Sequence, residues 1–522
     1  MRPPRARPGL VPALLAATVV STTLFAQPPP SVRAASRDWL AKNERAVLED
    51  LASLLAIPNL ASDYENIRTN AEAIRGRLEA RGFKVQLLDG EGGPPAIFGE
   101  LPSRGAKRTL TVYAHYDGQP VDPAKWASPP WTPTLRRGTV EAGAAEIRLD
   151  SLPAGRLDPE WRLYARSASD DKAPIIALLA ALDALRAQGR KPSVNLEVFF
   201  EGEEEAGSDH LEAVLRKNAP MLKSDLWLLC DGPVHQTRRP QLFFGARGVM
   251  GLEMTVYGPR RALHSGHYGN WAPNPALLIA DLLARMRTPD GRITIEGFYD
   301  DVRPPTDAEK RALAAVPDPD PELRRDLWLA ATEADNAKSV ERIMLPALNV
   351  RGIEAGGVGD KAANAIATAA RASIDFRLVP DQKPARVREI TEAYLTKLGW
   401  HVVHEEPTEA VRSSHPRVVR LQWEGGYPAA RTDMDRPEAR ALARALSAGG
   451  GPEFLRLPTL GGSVPWYLFD QIVGAPVIGL PIVNHDNNQH AANENLRLAN
   501  LWEGIEAYAV MLEAIGRELE KK

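Results

Sequence analysis

Phe199-Phe200-Glu201-Gly202-Glu203-Glu204-Glu205-Ala206-Gly207-Ser208 is the stretch on which the reading of this chain turns. Residues from Ser193 to Phe200 alternate and end apolar, the pattern of a buried strand running into a turn. Four glutamates then fall within five positions, Glu201 to Glu205. Like charge at that density is unfavourable unless cations neutralise it or water screens it. Alone, the cluster reads as an acidic surface turn. The ends of other apolar strands change that reading.

Thr109–Ala114 runs straight into His115-Tyr116-Asp117-Gly118, and side-chain alternation puts His115 and Asp117 on one side of an extended chain. A metal-bound imidazole commonly donates its second N–H to a carboxylate, so the pair suits a ligand and its orienting acid, or else a hydrogen-bonded turn. Leu163-Tyr164 leads to Ser169-Asp170-Asp171-Lys172 ahead of a helix, where Asp170 could bind metal and Asp171 reads as a cap. Leu226 to Leu229 stops at Cys230-Asp231-Gly232, which also fits an Asp-Gly turn with Cys230 in the core. Asn484 to His490 is a polar, histidine-bearing loop after an apolar strand ending at Leu480. In open α/β sheets ligands bind outside the carboxyl ends of strands, where all these groups stand. A His/carboxylate set without thiolates suits two divalent, zinc-like ions about 3.5–4 Å apart.

The 522 residues exceed one ordinary core, so two domains are expected. A net charge of −3 gives no reason to expect nucleic acid or an anionic membrane as a partner. Cys230 is the single cysteine, which excludes an intrachain disulfide. Arg2, Arg5 and Arg7 precede an apolar run from about Leu10 to Ala26, the layout of an export signal over residues 1–26. Cleavage after Ala26 fits, with Ala34 or Ala35 as the alternative. The run is shorter than the roughly 20 apolar residues of a membrane span, so no stable membrane insertion is expected once it is removed.

Strand and helix patterns alternate from Trp39 to Arg247, predicting an α/β sheet covered on both faces. Residues 248–425 read as a small α+β sandwich inserted into the larger domain, which spans 37–247 and 426–522. Residues Asp300 to Ala337 read as an insertion on that small unit, and Gln119 to Trp161 as largely aperiodic.

The motifs YAHYDGQP, LYARSASDDKAP, EGEEEAGS, LLCDG, LHSGHYG, FRLVP, GGSVP and HAANE occur in an order that resembles the two-zinc metallopeptidases and deacylases. That family includes carnosinase-type dipeptidases, glutamate carboxypeptidase, acetylornithine deacetylase and succinyl-diaminopimelate desuccinylase. The resemblance runs from about Trp39 to the end and is strongest to the dipeptidase branch. It implies a catalytic domain with a central mixed sheet flanked by helices, and an inserted two-layer lid and dimerisation domain. It implies His115, Asp170, Glu205, Asp231 and His490 as ligands of two divalent ions, zinc first, manganese or cobalt as alternatives. Asp170 would bridge them, Glu204 would be the general base, and Asp117 would orient His115. His264 would reach the partner subunit's site in a homodimer. Arg377 would grip a substrate carboxylate, with Asn364 and Ser463 beside the substrate. Ser167 and Ala173 depart from glycines usual in this pattern, as do Ala367 from a proline and Thr459-Leu460 from a charged pair.

The expected activity is hydrolysis of a dipeptide or short peptide with a free carboxylate. Cleavage of an N-acetyl or N-succinyl amino acid by the same groups is the alternative, and a non-catalytic binding protein the rival of another class.

Overall fold

Ser31 opens the first helix, its hydroxyl accepting from the Ala34 amide, and Val32–Leu55 follows. Leu40, Val47, Leu48, Leu51, Leu54 and Leu55 form its buried stripe. The computed structural model describes residue 1 and residues 31–521, apart from 91, 153, 154, 335, 336 and 449. The expected export signal at 1–26 thus lies outside the described residues, save Met1. Among the described residues no helix is long and apolar enough to cross a membrane.

The central sheet has eight strands, in spatial order Lys84–Gly90, Gly93–Leu101, Asn195–Glu201, Thr109–His115, Leu226–Leu229, Val477–Gly479, Gln241–Phe243 and Leu455–Leu457. The inner four, from Asn195–Glu201 to Val477–Gly479, are parallel. Antiparallel pairs flank them, so the sheet is mixed. Along Asn195–Glu201 the pleat sends Val198 and Phe200 into one apolar layer and Phe199 into the other. The first layer is closed by the helices Val32–Leu55, Lys172–Ala187, Pro437–Ser447 and Leu498–Glu520. The second contains Leu211, Val214 and Leu215 of the helix Leu211–Asn218, with Trp466 and Phe469. Parallel strands buried on both faces read as nearly continuous apolar runs, as these do.

A separate five-stranded sheet runs Ala347–Glu354, Ala369–Leu378, Gly248–Tyr257, Val418–Tyr427, His401–Val403, with the helices Pro275–Met286 and Pro384–Lys397 in its own core. Val418–Tyr427 lies outside the expected elements. It lines up against Gly248–Tyr257 and carries the chain back toward the central sheet.

Two expectations need correction. The 300–337 segment does not sit simply on the small unit. Thr306 and Glu309 form a capping box for the helix Asp307–Ala315, and Leu313 and Val316 join the layer containing Leu455 and Leu457 of the central sheet. Glu309 also makes a buried ion pair with Arg431 at 3.0 Å. The 119–161 stretch is not merely aperiodic either. Thr134–Arg136 and Glu146–Ile147 join Arg162–Tyr164 and Asn495–Arg497 in a four-stranded sheet, which ties the Asp170 segment to the chain after His490.

Candidate metal centre

His115 closes its strand and is fully buried. Its Nε2 lies 2.8 Å from Asp170 Oδ1, and its Nδ1 lies 3.4 Å from Asp117 Oδ1. Asp117 also accepts the backbone amides of Glu204 (3.1 Å) and Glu205 (2.9 Å), fixing the short turn after the strand Asn195–Glu201. His490 Nε2 stands 3.2 Å from both Asp170 Oδ2 and Glu205 Oε2. Asp231 follows the next parallel strand and is buried beside them. Donor atoms of His115, Asp170 and Glu205 lie within 4.8 Å of one another, and so do those of His115, Glu204 and Asp231. The expected five ligands and Glu204 therefore converge on one spot.

Electrostatics make the cluster unstable as bare anions. Burial, then repulsion from Asp170, pushes Glu205 up to about 8 and Asp231 up to about 6. Burial raises Glu204 well above the ordinary carboxylate range, with Asp231 and Glu205 adding to it against His115. For Asp170 burial is outweighed by His115 and His490, which hold it low. Burial would depress His115, but Asp117 and Asp170 raise it well above the usual imidazole value. No lysine or arginine pairs with Asp170, Glu204, Glu205 or Asp231 among the described residues. Two overlapping oxygen-and-imidazole sets with no pairing lysine or arginine among the described residues fit a pair of divalent ions.

Several supporting residues went unread in the sequence. Glu494, fully buried, accepts the amides of Ser169 and Asp170 on Oε1 (both 2.9 Å), and that of Ser167 on Oε2 (2.9 Å). Arg166 Nη1 donates to the same Oε2 at 2.8 Å. The only sequence signal for Glu494 was its place at the end of HAANE. Gln119 donates to Glu205 Oε2 at 2.7 Å. Asp171 corrects an expectation: it makes no side-chain cap bond, and instead lies buried with Oδ2 3.4 Å from the His115 amide.

Arg377 is held by Asp375 (3.0 Å) and by Ser463 Oγ, to which its Nη1 donates at 2.9 Å. Tyr427 ends the unexpected strand. Burial raises its hydroxyl, Glu204 adds to the shift and Arg377 opposes it. His264 and Asn364 are elsewhere, exposed and adjacent on the small unit, where Leu263–His264 pairs with Ala365–Ile366. Neither hydrogen-bonds or ion-pairs with a carboxylate of the cluster among the described residues.

Fold and donor set together define a metallopeptidase. The chain belongs to peptidase family M20/M25/M40, whose model matches residues 111–514. It is 26% identical over 483 residues to the Cys-Gly metallodipeptidase of Schizosaccharomyces pombe, covering 89% of this chain and 94% of that one. It is 26% identical over 485 residues to the Beta-Ala-His dipeptidase of Homo sapiens, with 88% and 86% covered. An M20 family metallo-carboxypeptidase from Sulfolobus solfataricus superposes with a TM-score of 0.73 at 27% identity, over 90% of this chain and 99% of that one. Human carnosine dipeptidase 1 shares the fold, with a TM-score of 0.73 at 22% identity over 94% and 100%.

Carboxylates raised in the folded state favour their protonated forms, so the ion-free fold loses stability as pH rises through about 6 to about 8. Bound cations remove that penalty. Chelation is therefore expected to lower the melting temperature by several degrees at about pH 8.5 and by much less at about pH 5.5. Equal melting curves with and without chelator at the higher pH would contradict the assignment.

Proposed function

We propose that this chain is an exported, two-metal dipeptidase that hydrolyses the amide bond of dipeptides or short peptides bearing a free C-terminal carboxylate. The observation that carries the reading is the pair of donor sets sharing His115, with Glu204 half-buried beside Asp231 and the others. The names of the curated relatives support dipeptides as the substrate class.

His115, Asp170, Glu205, Asp231 and His490 would hold two divalent ions, zinc being the first choice for this His/carboxylate set. When bound, such ions supply Lewis acidity that polarises the scissile carbonyl and brings the pKa of water to about 7. Glu204 takes the proton of the attacking water and returns it to the leaving nitrogen. Its raised proton affinity suits both halves of that task. Arg377, steadied by Asp375 and Ser463, offers a planar fork to the substrate carboxylate. His264 and Asn364, exposed and with no hydrogen bond or ion pair to the cluster of their own chain among the described residues, serve the oxyanion side of a partner subunit's site. A homodimer through the 248–425 unit follows from that role.

The first helix bears on export. Val32, Arg33 and Ser36 are buried, and Ser31 caps the helix. Cleavage at Ala34 or Ala35 would cut inside this packed turn, so processing falls before Ser31, consistent with the Ala26 site. Terminal sequencing of the exported protein should begin between residues 27 and 31; a start at 35 or 36 would contradict this.

Glu204→Gln is expected to keep its ions and to lose turnover of a dipeptide panel by about 10²–10⁴-fold. Mixed with inactive His264→Ala protein, it should recover part of the activity. Near-parental turnover by Glu204→Gln alone, or preference of the parent for N-acetyl or N-succinyl amino acids, would overturn the reading.

A further inference from the structure

Ser167 stands in the left-handed backbone region, at φ 60°, and is fully buried. A glycine adopts that conformation freely, whereas a side chain there is strained and persists where its surroundings demand it. What surrounds Ser167 is a closed set of hydrogen bonds. Its hydroxyl accepts from Asn59 Nδ2 at 2.8 Å and donates to the Asp117 carbonyl at 3.3 Å. Asn59 Nδ2 also donates to the Tyr116 carbonyl at 2.8 Å, and the Asn59 carbonyl accepts the Gly118 amide at 2.9 Å. The Ser167 amide is held by Glu494, the same carboxylate that holds the Ser169 and Asp170 amides.

The geometry of Gly118 shows how tightly the two turns meet. A Cβ on Gly118 would come within 2.4 Å of Ser167 Oγ and 3.1 Å of Asn59 Nδ2. The hydroxyl thus fills the gap between the turn bearing His115 and Asp117 and the turn bearing Asp170. Those turns belong to separate segments, yet they bring His115 Nε2 to 2.8 Å from Asp170 Oδ1.

We propose that Ser167 is a positioning residue: its hydroxyl, with Asn59, ties the His115–Asp117 turn to the Asp170 turn and so sets the spacing of the two ligands. It touches neither substrate nor ion and acts only through these neighbours. The inference rests on the metal centre proposed above but not on the substrate, so its test reads ion retention first.

The experiment compares Ser167→Gly and Ser167→Ala with the parent, each loaded with manganese and challenged with a chromophoric chelator. Glycine fits the backbone without strain, so its fold is secure, and alanine keeps the Cβ while losing only the hydroxyl. Both variants should release the ion at about tenfold lower chelator concentration or less. Both should lower kcat with little change in KM. Adding Asn59→Ala to Ser167→Gly should then weaken retention by less than Asn59→Ala does in the parent, because the bond between Asn59 and Ser167 is already gone and only that to the Tyr116 carbonyl is left to lose. Parental ion retention and kcat in Ser167→Gly would overturn the proposal, as would full additivity of the two substitutions.

Discussion

The fold turns on one electrostatic constraint: four carboxylates, Asp170 and Asp231 buried and Glu204 and Glu205 half-buried, crowd against one another with two imidazoles, His115 and His490, between them. A buried ion without a partner costs several kcal/mol even after relaxation. The upward shifts of Glu204, Glu205 and Asp231 express that cost as proton affinity. Protons or divalent cations relieve it, and only the second leaves the carboxylates free to bind and to exchange a proton with water. The penalty and the chemistry share one origin.

The parallel centre of the large sheet makes the crowding possible. Strands Asn195–Glu201, Thr109–His115, Leu226–Leu229 and Val477–Gly479 run the same way, so their carboxyl ends deliver Glu204 and Glu205, His115, Asp231 and the His490 loop to one edge. Asp170 arrives differently, on a turn before the helix Lys172–Ala187, and needs its own anchors. Glu494 grips three amides of that turn, while Asp117 grips two of the glutamate turn. The anchors are themselves carboxylates that spend their charge on backbone N–H groups, so they steady the site without competing for its cations.

The ligands were legible because each follows an apolar strand or precedes a strongly periodic helix, and the motif order resembles a known family. What stayed hidden depended on contacts between distant segments. Val418–Tyr427 alternates only partly and carries Gly425-Gly426 just before its last residue, a composition that argues against a strand. In the fold Gly426 is needed because a Cβ there would meet the Val249 carbonyl at 2.4 Å. Glu494 looked like one acid among many, since nothing local reveals that three amides more than 300 residues upstream converge on it. Asp171 read as a helix cap by position, but the turn before the helix aims its carboxylate at the His115 amide instead. The helix Asp307–Ala315 was passed over inside a segment read as an insertion, although Thr306 and Glu309 spell its capping box, and nothing local shows its docking on the central sheet.

Native mass spectrometry of the metal-loaded chain beside Asp170→Ala gives the most direct test, because Asp170 contacts both imidazoles at the centre. The account predicts two divalent ions per parent chain and loss of both, or all but a trace, in the variant. A parent that holds no ion, or a variant that keeps two, would contradict it.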